Sequence, residues 1–273
     1  GAQVIATEQT IQPTVTKIPL PSKTVPVTST PIPDTSIPAV REKDNMLMVY
    51  VEAGAFQMGG GKNGMPNENP EHTVILDAFW IDQTEVTNGK YALCVQSRVC
   101  SPPSEPSSLT RASYYGAAQY ENYPVVHISW DQARVYCEWA GGRLPTEAEW
   151  EKAARGIDGR TYPWGNDIGR TYANYDQRNG DTSAVGSFES GKSPYGAYDM
   201  AGNVWEWVAD WYGDTYYRDT PSNNPGGPSF GIMRVLRGGA FFTKDYYIRS
   251  TYRYAFDPST GDYLDGFRCA RSQ

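Results

Sequence analysis

The chain has 273 residues, with 24 basic and 31 acidic side chains and a formal net charge of −7. That length holds one large domain plus a tail, and an acidic chain without a basic run is not built to grip nucleic acid. No apolar run approaches the roughly 18 residues of a membrane-crossing helix, and 20 Tyr, 8 Trp and 27 Gly against 2 His point to a loop-rich fold packed on rings, excluding a three-His zinc site.

Taken in chain order, residues 1–40 carry seven prolines among many Thr and Ser, and no aromatic residue precedes Tyr50. Such a segment buries too little apolar area to offset its ordering entropy. Residues 1–45 therefore read as an extended Pro/Thr-rich stalk or linker, tethering a domain over 46–273 to a membrane anchor or another domain. No signal-peptide pattern stands at Gly1, so any targeting segment is expected to lie outside this sequence. Met46–Glu52 reads as a strand, Gly54 and Gly59-Gly60-Gly61 as turns, and His72–Ile81 as a second strand. Thr87 is placed to cap a short helix through about Gln96. Ser129-x-x-Gln132 and Thr146-x-x-Glu149 are capping boxes opening two further helices, which end before Gly141-Gly142 and at Gly156. Beyond Arg160 the periodicity fades into turns and aromatic dipeptides. Arg234–Gly239 and Gly266–Ala270 read as strands flanking an irregular insert.

The four cysteines fit two disulfides. Cys94 and Cys100 would close a small loop, and Cys137 with Cys269 would tie the C-terminus to a helix. The alternative is four reduced thiols in a cytosolic protein, but the stalk favours an extracytoplasmic setting, where disulfides persist. No C-x2-C pair supports a zinc site. Oxygen-bearing residues gather in two loops, Asn174–Ser183 and Asp199–Glu206, the donor type that calcium takes.

Seven motifs in order carry a family resemblance: Asp82-Gln83-Thr84-Glu85-Val86-Thr87-Asn88, Tyr123–Trp130, Gly142–Glu151, Tyr162-Pro163-Trp164-Gly165, Ala201–Trp207, Arg234–Gly239 and Gly266-Phe267-Arg268-Cys269. From about residue 46 to 273 the chain resembles the formylglycine-generating-enzyme (sulfatase-modifying factor) domain. That resemblance implies an α+β, loop-rich variant of the C-type-lectin fold with a small mixed sheet and two main helices. It also implies structural calcium. One site would use Asn174, the carbonyl of Tyr175, Asp181 and the carbonyl of Ser183; the other would use Asp199, the carbonyls of Gly202 and Val204, and Glu206.

The chemistry of that enzyme family rests on two cysteines five residues apart after the Arg-Gly-Gly strand, which bind copper. Thr243 and Ile248 occupy those positions, and neither forms a thiolate or binds copper(I). No copper is therefore expected, and formylglycine generation is not. His72 and His127 read as structural residues rather than ligands.

Between these scaffold motifs, Ala240–Asp265 is dense in Tyr, Phe, Asp, Ser and Thr. Phe241, Phe242, Asp245, Tyr246, Tyr247, Tyr254, Phe256, Asp262 and Tyr263 form the expected contact surface, because rings give rigid area and short polar groups give adaptable hydrogen bonds. The same segment resembles the variable proteins of diversity-generating retroelements: most of its residues are those an adenine-mutated Asn codon encodes. The expectation is a non-catalytic display domain, secreted or cell-surface, whose ligand is a protein or glycan. Two alternatives are kept: an oxidoreductase of the same family using a different metal or nucleophile, and an extracytoplasmic sensor module of a signalling protein.

Overall fold

The computed structural model describes residues 1–2 and 39–273. The expected stalk falls mainly outside the described residues. The described fold begins at Ala39, within the 1–45 segment expected to be stalk. Its first strand, β1 (Ala39–Arg41), pairs antiparallel with β2 (Met46–Val51). The reason is electrostatic: the buried Arg41 guanidinium meets Asp44 at 2.6 Å and Asp82 at 2.7 Å, while the Tyr136 hydroxyl donates to Asp44. Ion pairs this buried are costly to separate, so β1 belongs to the domain and not to a spacer.

The expected single strand His72–Ile81 is two strands in two sheets. β3 (Gly54–Met58) and β4 (His72–Leu76) form a hairpin pair, whereas β5 (Phe79–Asp82) lies beside β2. The chain changes sheets at Asp77-Ala78. Gly54, read as a turn, begins β3. The first sheet, in the order β1-β2-β5-β10, is completed by β10 (Ala270–Ser272) at its C-terminal edge.

Among the described residues three α-helices form where the capping signals put them, one more than the resemblance implies. In α1 (Asn88–Gln96) the Thr87 side chain accepts from Lys90 N. Both α2 (Trp130–Trp139) and α3 (Glu147–Arg155) have complete capping boxes, at Ser129/Gln132 and Thr146/Glu149. Gly156 ends α3 with φ of 69°, a left-handed conformation that glycine adopts without strain. Each disulfide joins the expected pair: Cys94–Cys100 and Cys137–Cys269, with Cα separations of 5.3 and 5.5 Å. No helix among the described residues is long and apolar enough to cross a membrane.

The second four-stranded sheet has the order β8-β7-β6-β9, from Tyr254–Phe256 (β8), Arg234–Arg237 (β7), Trp205–Trp211 (β6) and Asp265–Phe267 (β9). β7 is antiparallel to both β6 and β8, β9 is parallel to β6, and a register shift interrupts β6 against β7 between Trp207 and Trp211. The insert expected to be irregular thus contributes β8. α3 packs against this sheet through charge as well as rings. Glu147 and Glu151 hold Arg237 at 3.0 and 2.7 Å, and Glu147 also holds Arg253 at 2.7 Å. Trp150, wholly buried, donates its indole N–H to Glu206 at 2.7 Å.

Candidate ligand-binding surface

Side chains alternate between the faces of a strand. Trp205 on β6 is the register partner of Asp265 on β9, Trp207 of Leu236 on β7, and Leu236 of Tyr254 on β8. These residues and Phe256 share one face. Glu206 and Arg237, partners in register one step away, take the opposite face, towards α3. The sequence Trp-Glu-Trp therefore splits its functions: the tryptophans line one side of the sheet and the glutamate anchors the other.

The ring-bearing face opens into a cavity of about 230 Å³, lined by Trp205, Thr243, Tyr247, Tyr252, Tyr254, Phe256, Asp262, Leu264 and Asp265. Trp205 stacks on Tyr254 at 5.2 Å between ring centroids and lies 5.9 Å from Tyr252, which meets Tyr247 edge-on at 5.0 Å. Asp265 is buried, and one of its carboxylate oxygens accepts from Asp262 N at 3.2 Å. Burial first, then the neighbouring Asp262 charge, pushes the Asp265 carboxyl well above the ordinary carboxylate range. Among the described residues no Lys, Arg or His forms an ion pair with Asp262 or Asp265.

Of the nine expected contact residues, Tyr247, Tyr254, Phe256 and Asp262 line this cavity. Phe242, Asp245 and Tyr246 are exposed without lining it, Asp245 facing a separate pocket with Tyr175, Asp176 and Lys244, and Tyr263 is half-buried. Phe241 corrects the expectation: it is fully buried, edge-on against Phe242, and its carbonyl accepts from Gln177 N. It is core, so it cannot meet a ligand. Five lining residues lie outside the expected set: Trp205, Thr243, Tyr252, Leu264 and Asp265. Trp205 sits inside a scaffold motif, and its period-2 partnership with Asp265 is visible only once the two strands are paired.

Thr243 and Ile248 meet over Gly239. A Cβ on Gly239, whose φ is 74°, would lie 2.6 Å from Ile248 Cγ2 and 3.0 Å from Thr243 Oγ1. The Thr243 hydroxyl closes a local turn, donating to Ala240 O and accepting from Ala240 N. Ile248 is buried among Tyr162, Ala173, Tyr175 and Ala201. One side chain is a turn lock and the other is apolar packing, and neither carries a thiol.

The two oxygen-rich loops differ. In the second, Asp199 accepts from Gly186 N at 2.6 Å, and Glu85 Oε1 accepts from Asn203 Nδ2 at 3.0 Å. Glu85 Oε2 is buried without a partner. Burial, then the Asp199 and Glu206 charges, pushes Glu85 well above its ordinary range. Arg268 supplies facing positive charge but is committed to Glu206, at 2.6 and 2.7 Å. Glu206 is thus filled, and the open carboxyl oxygen that could face a divalent cation here is that of Glu85. Among the described residues no group of three His, Cys, Asp or Glu side chains is arranged to hold a metal by itself, so an ion there needs the carbonyls of Gly202 and Val204.

The first loop fits less well. Asn174 Oδ1 is buried and unpartnered, but Asp181 is already filled. It accepts from Ser108 Oγ at 2.6 Å, from Thr110 N and Oγ1 at 2.9 and 2.7 Å, and from Thr182 N at 2.7 Å. Arg111 stands 3.5 Å away. Although burial opposes it, those hydrogen bonds hold the Asp181 carboxyl below its usual range. The arginine and the hydroxyls supply the neutralisation that an ion would otherwise give. Of the histidines, His72 bonds Pro70 O through Nδ1 and meets Tyr217 edge-on, a packing role.

A family model described as the sulfatase-modifying factor enzyme 1-like domain matches residues 34–273. The formylglycine-generating enzyme of Streptomyces coelicolor is 36% identical over 292 residues, covering 85% of this chain and 91% of that one. Among solved structures, PvdO from Pseudomonas aeruginosa aligns with a TM-score of 0.75 and 29% identity, over 86% of this chain and 98% of that one. Treponema denticola variable protein 1 aligns with a TM-score of 0.73 and 27% identity, over 84% of this chain and 95% of that one.

Proposed function

We propose that this chain, which belongs to the sulfatase-modifying factor enzyme 1-like family, is a member turned from oxidation to recognition. In this reading it is an extracytoplasmic domain that binds a protein or glycan on the surface around Tyr247, Tyr254, Phe256 and Asp262. The observation that carries the reading is the ring-lined cavity beside Gly239, where Thr243 and Ile248 leave no thiol. The similarity to a protein named as variable supports a further element, that the exposed part of Ala240–Asp265 differs among siblings while its buried part does not. Two disulfides support an oxidising compartment. A structural calcium ion at Asp199, Glu206 and the carbonyls of Gly202 and Val204 belongs to the same reading, supported by the orphaned Glu85 oxygen.

The test is binding of the purified protein to peptide and glycan arrays, beside a Tyr246→Ala/Tyr247→Ala/Tyr254→Ala variant with an unchanged melting curve. Hits lost in the variant bear the reading out. Oxygen consumption with a thiol peptide, together with stoichiometric copper, would replace it with the oxidoreductase alternative. Sibling genomes read between residues 240 and 265, with a neighbouring template repeat and reverse transcriptase, decide the variable element.

A further inference from the structure

The cavity combines two properties that rarely occur together. Its walls are the faces and edges of Trp205, Tyr252, Tyr254 and Phe256, with the Trp205–Tyr254 stack at 5.2 Å as one side. Its acidic groups are two carboxyls, Asp262 and Asp265, and the ion pairs of the described residues leave both without a cation. Several other buried acids, Glu147, Glu151 and Glu206 among them, hold an arginine. Asp265, 2% exposed, does not, and its side chain faces the cavity beside its register partner Trp205.

Aromatic faces attract cations through their quadrupole, and the attraction grows when the cation sheds water. A strongly hydrated ion gains little from such walls, whereas an alkylammonium group presents methyl or methylene surface to the rings and positive charge to the carboxylates. The volume, about 230 Å³, is below the roughly 300 Å³ at which small-molecule pockets begin, so it admits a head group rather than a whole drug-sized molecule. We infer that this cavity binds an alkylammonium head group, with the rings around the methyls and Asp262 and Asp265 against the charge. The inference rests on the recognition reading above and names the ligand chemistry of its deepest point.

The test titrates the full chain with choline, with Nα-acetyl-trimethyllysine amide, and with 3,3-dimethylbutan-1-ol, the uncharged isostere of choline, following tryptophan fluorescence and saturation-transfer NMR. Both trimethylammonium probes are expected to bind at least about tenfold more tightly than the alcohol. Binding of choline but not the lysine amide locates the source in a small molecule or head group, and binding of both admits a modified side chain; either supports the inference. Asp262→Asn, at a half-exposed position, is expected to weaken choline several-fold and leave the alcohol unchanged. Asp265→Asn should do the same if its melting curve matches the parent. Equal affinity for choline and the alcohol overturns the cation inference and leaves aromatic recognition standing. Binding of none of the three also overturns it, while the array measurement judges the wider reading separately.

Discussion

Trp205 and Asp265 are register partners on adjacent parallel strands, so a buried carboxylate sits beside an indole with no arginine between them. The charge of Asp265 is then the variable quantity in the cavity. Of the groups facing it, Asp262 raises its pKa, Tyr252 is itself pushed up to about 12 by burial and neighbouring tyrosines, and Tyr254 is likewise raised. His127, whose backbone N–H donates to the Asp262 carbonyl, is held below its ordinary pKa by burial.

Choline affinity should therefore fall as pH is lowered through the raised Asp265 pKa. Asp265 takes up its proton at a pH well above the ordinary value near 4, and only its ionised form attracts a cation. Titrations at several pH values in the parent and in Asp265→Asn check this; the variant should show a flatter profile. A flat profile in the parent would separate Asp265 from binding.

Glu206→Gln should destabilise the fold by about 3–5 kcal/mol, because it leaves Arg268 buried and uncompensated. Both Glu206 oxygens engage Arg268, and one also accepts from Trp150. Urea melts give the loss. An exposed pair such as Arg134–Glu138 should contribute under about 1 kcal/mol by the same measurement.

The two disulfides should differ in effect. In the chain-entropy account a bridge spanning 132 residues restricts the unfolded chain by about 5 kcal/mol, and one spanning 6 by about 2. Cys137→Ser/Cys269→Ser is therefore expected to lower the melting temperature more than Cys94→Ser/Cys100→Ser. Calorimetry of the two double variants tests the order.

Asp210→Asn should stabilise the protein at pH 8 and have little effect near pH 4. Burial, then the Glu147 charge, pushes the Asp210 carboxyl up to about 8. A carboxyl whose folded pKa is raised favours the folded state below its unfolded pKa, near 3.8, and loses that contribution as pH rises through the folded value. The amide keeps an oxygen to accept from Glu147 N, at 2.7 Å in the parent, but never ionises. Melting curves from pH 4 to 8 should diverge steadily between the two proteins.

Chelation should lower the melting temperature, and calcium should restore it more fully than magnesium. At a hundredfold excess over its dissociation constant a bound ion stabilises by about 2.7 kcal/mol. Asp199→Asn should reduce the response, and Asp181→Asn should change it less, because hydroxyls and Arg111 already neutralise Asp181. An identical melt with and without chelator removes the ion.

Local signals in the sequence located what is local. The capping oxygens of Thr87, Ser129 and Thr146 sit within three residues of the amides they satisfy, so all three helices were legible. Both disulfides were legible from spacing and compartment. Pairings set by distant partners were not. β1 depends on Arg41 reaching Asp82, and the break at Asp77-Ala78 depends on β5 pairing with β2 while β4 pairs with β3. The exposed tyrosines of the surface stood out by composition. Phe241 looked the same in sequence as Phe242, yet one is core and the other is exposed, because a turn locked by Thr243 rotates them apart.

The C-terminal bridge also determines how the domain carries mechanical load. A ligand tugging on the cavity pulls on β9, and two residues later the chain enters β10 in the other sheet. From there tension crosses β5 and β2 to reach β1, the strand next to the N-terminal segment. Cys269 stands where the path turns from one sheet to the other, and its covalent link to Cys137 shares the strain with α2. Hydrogen bonds in the ladder can unzip one at a time under tension, but the joint between the two four-stranded sheets is riveted.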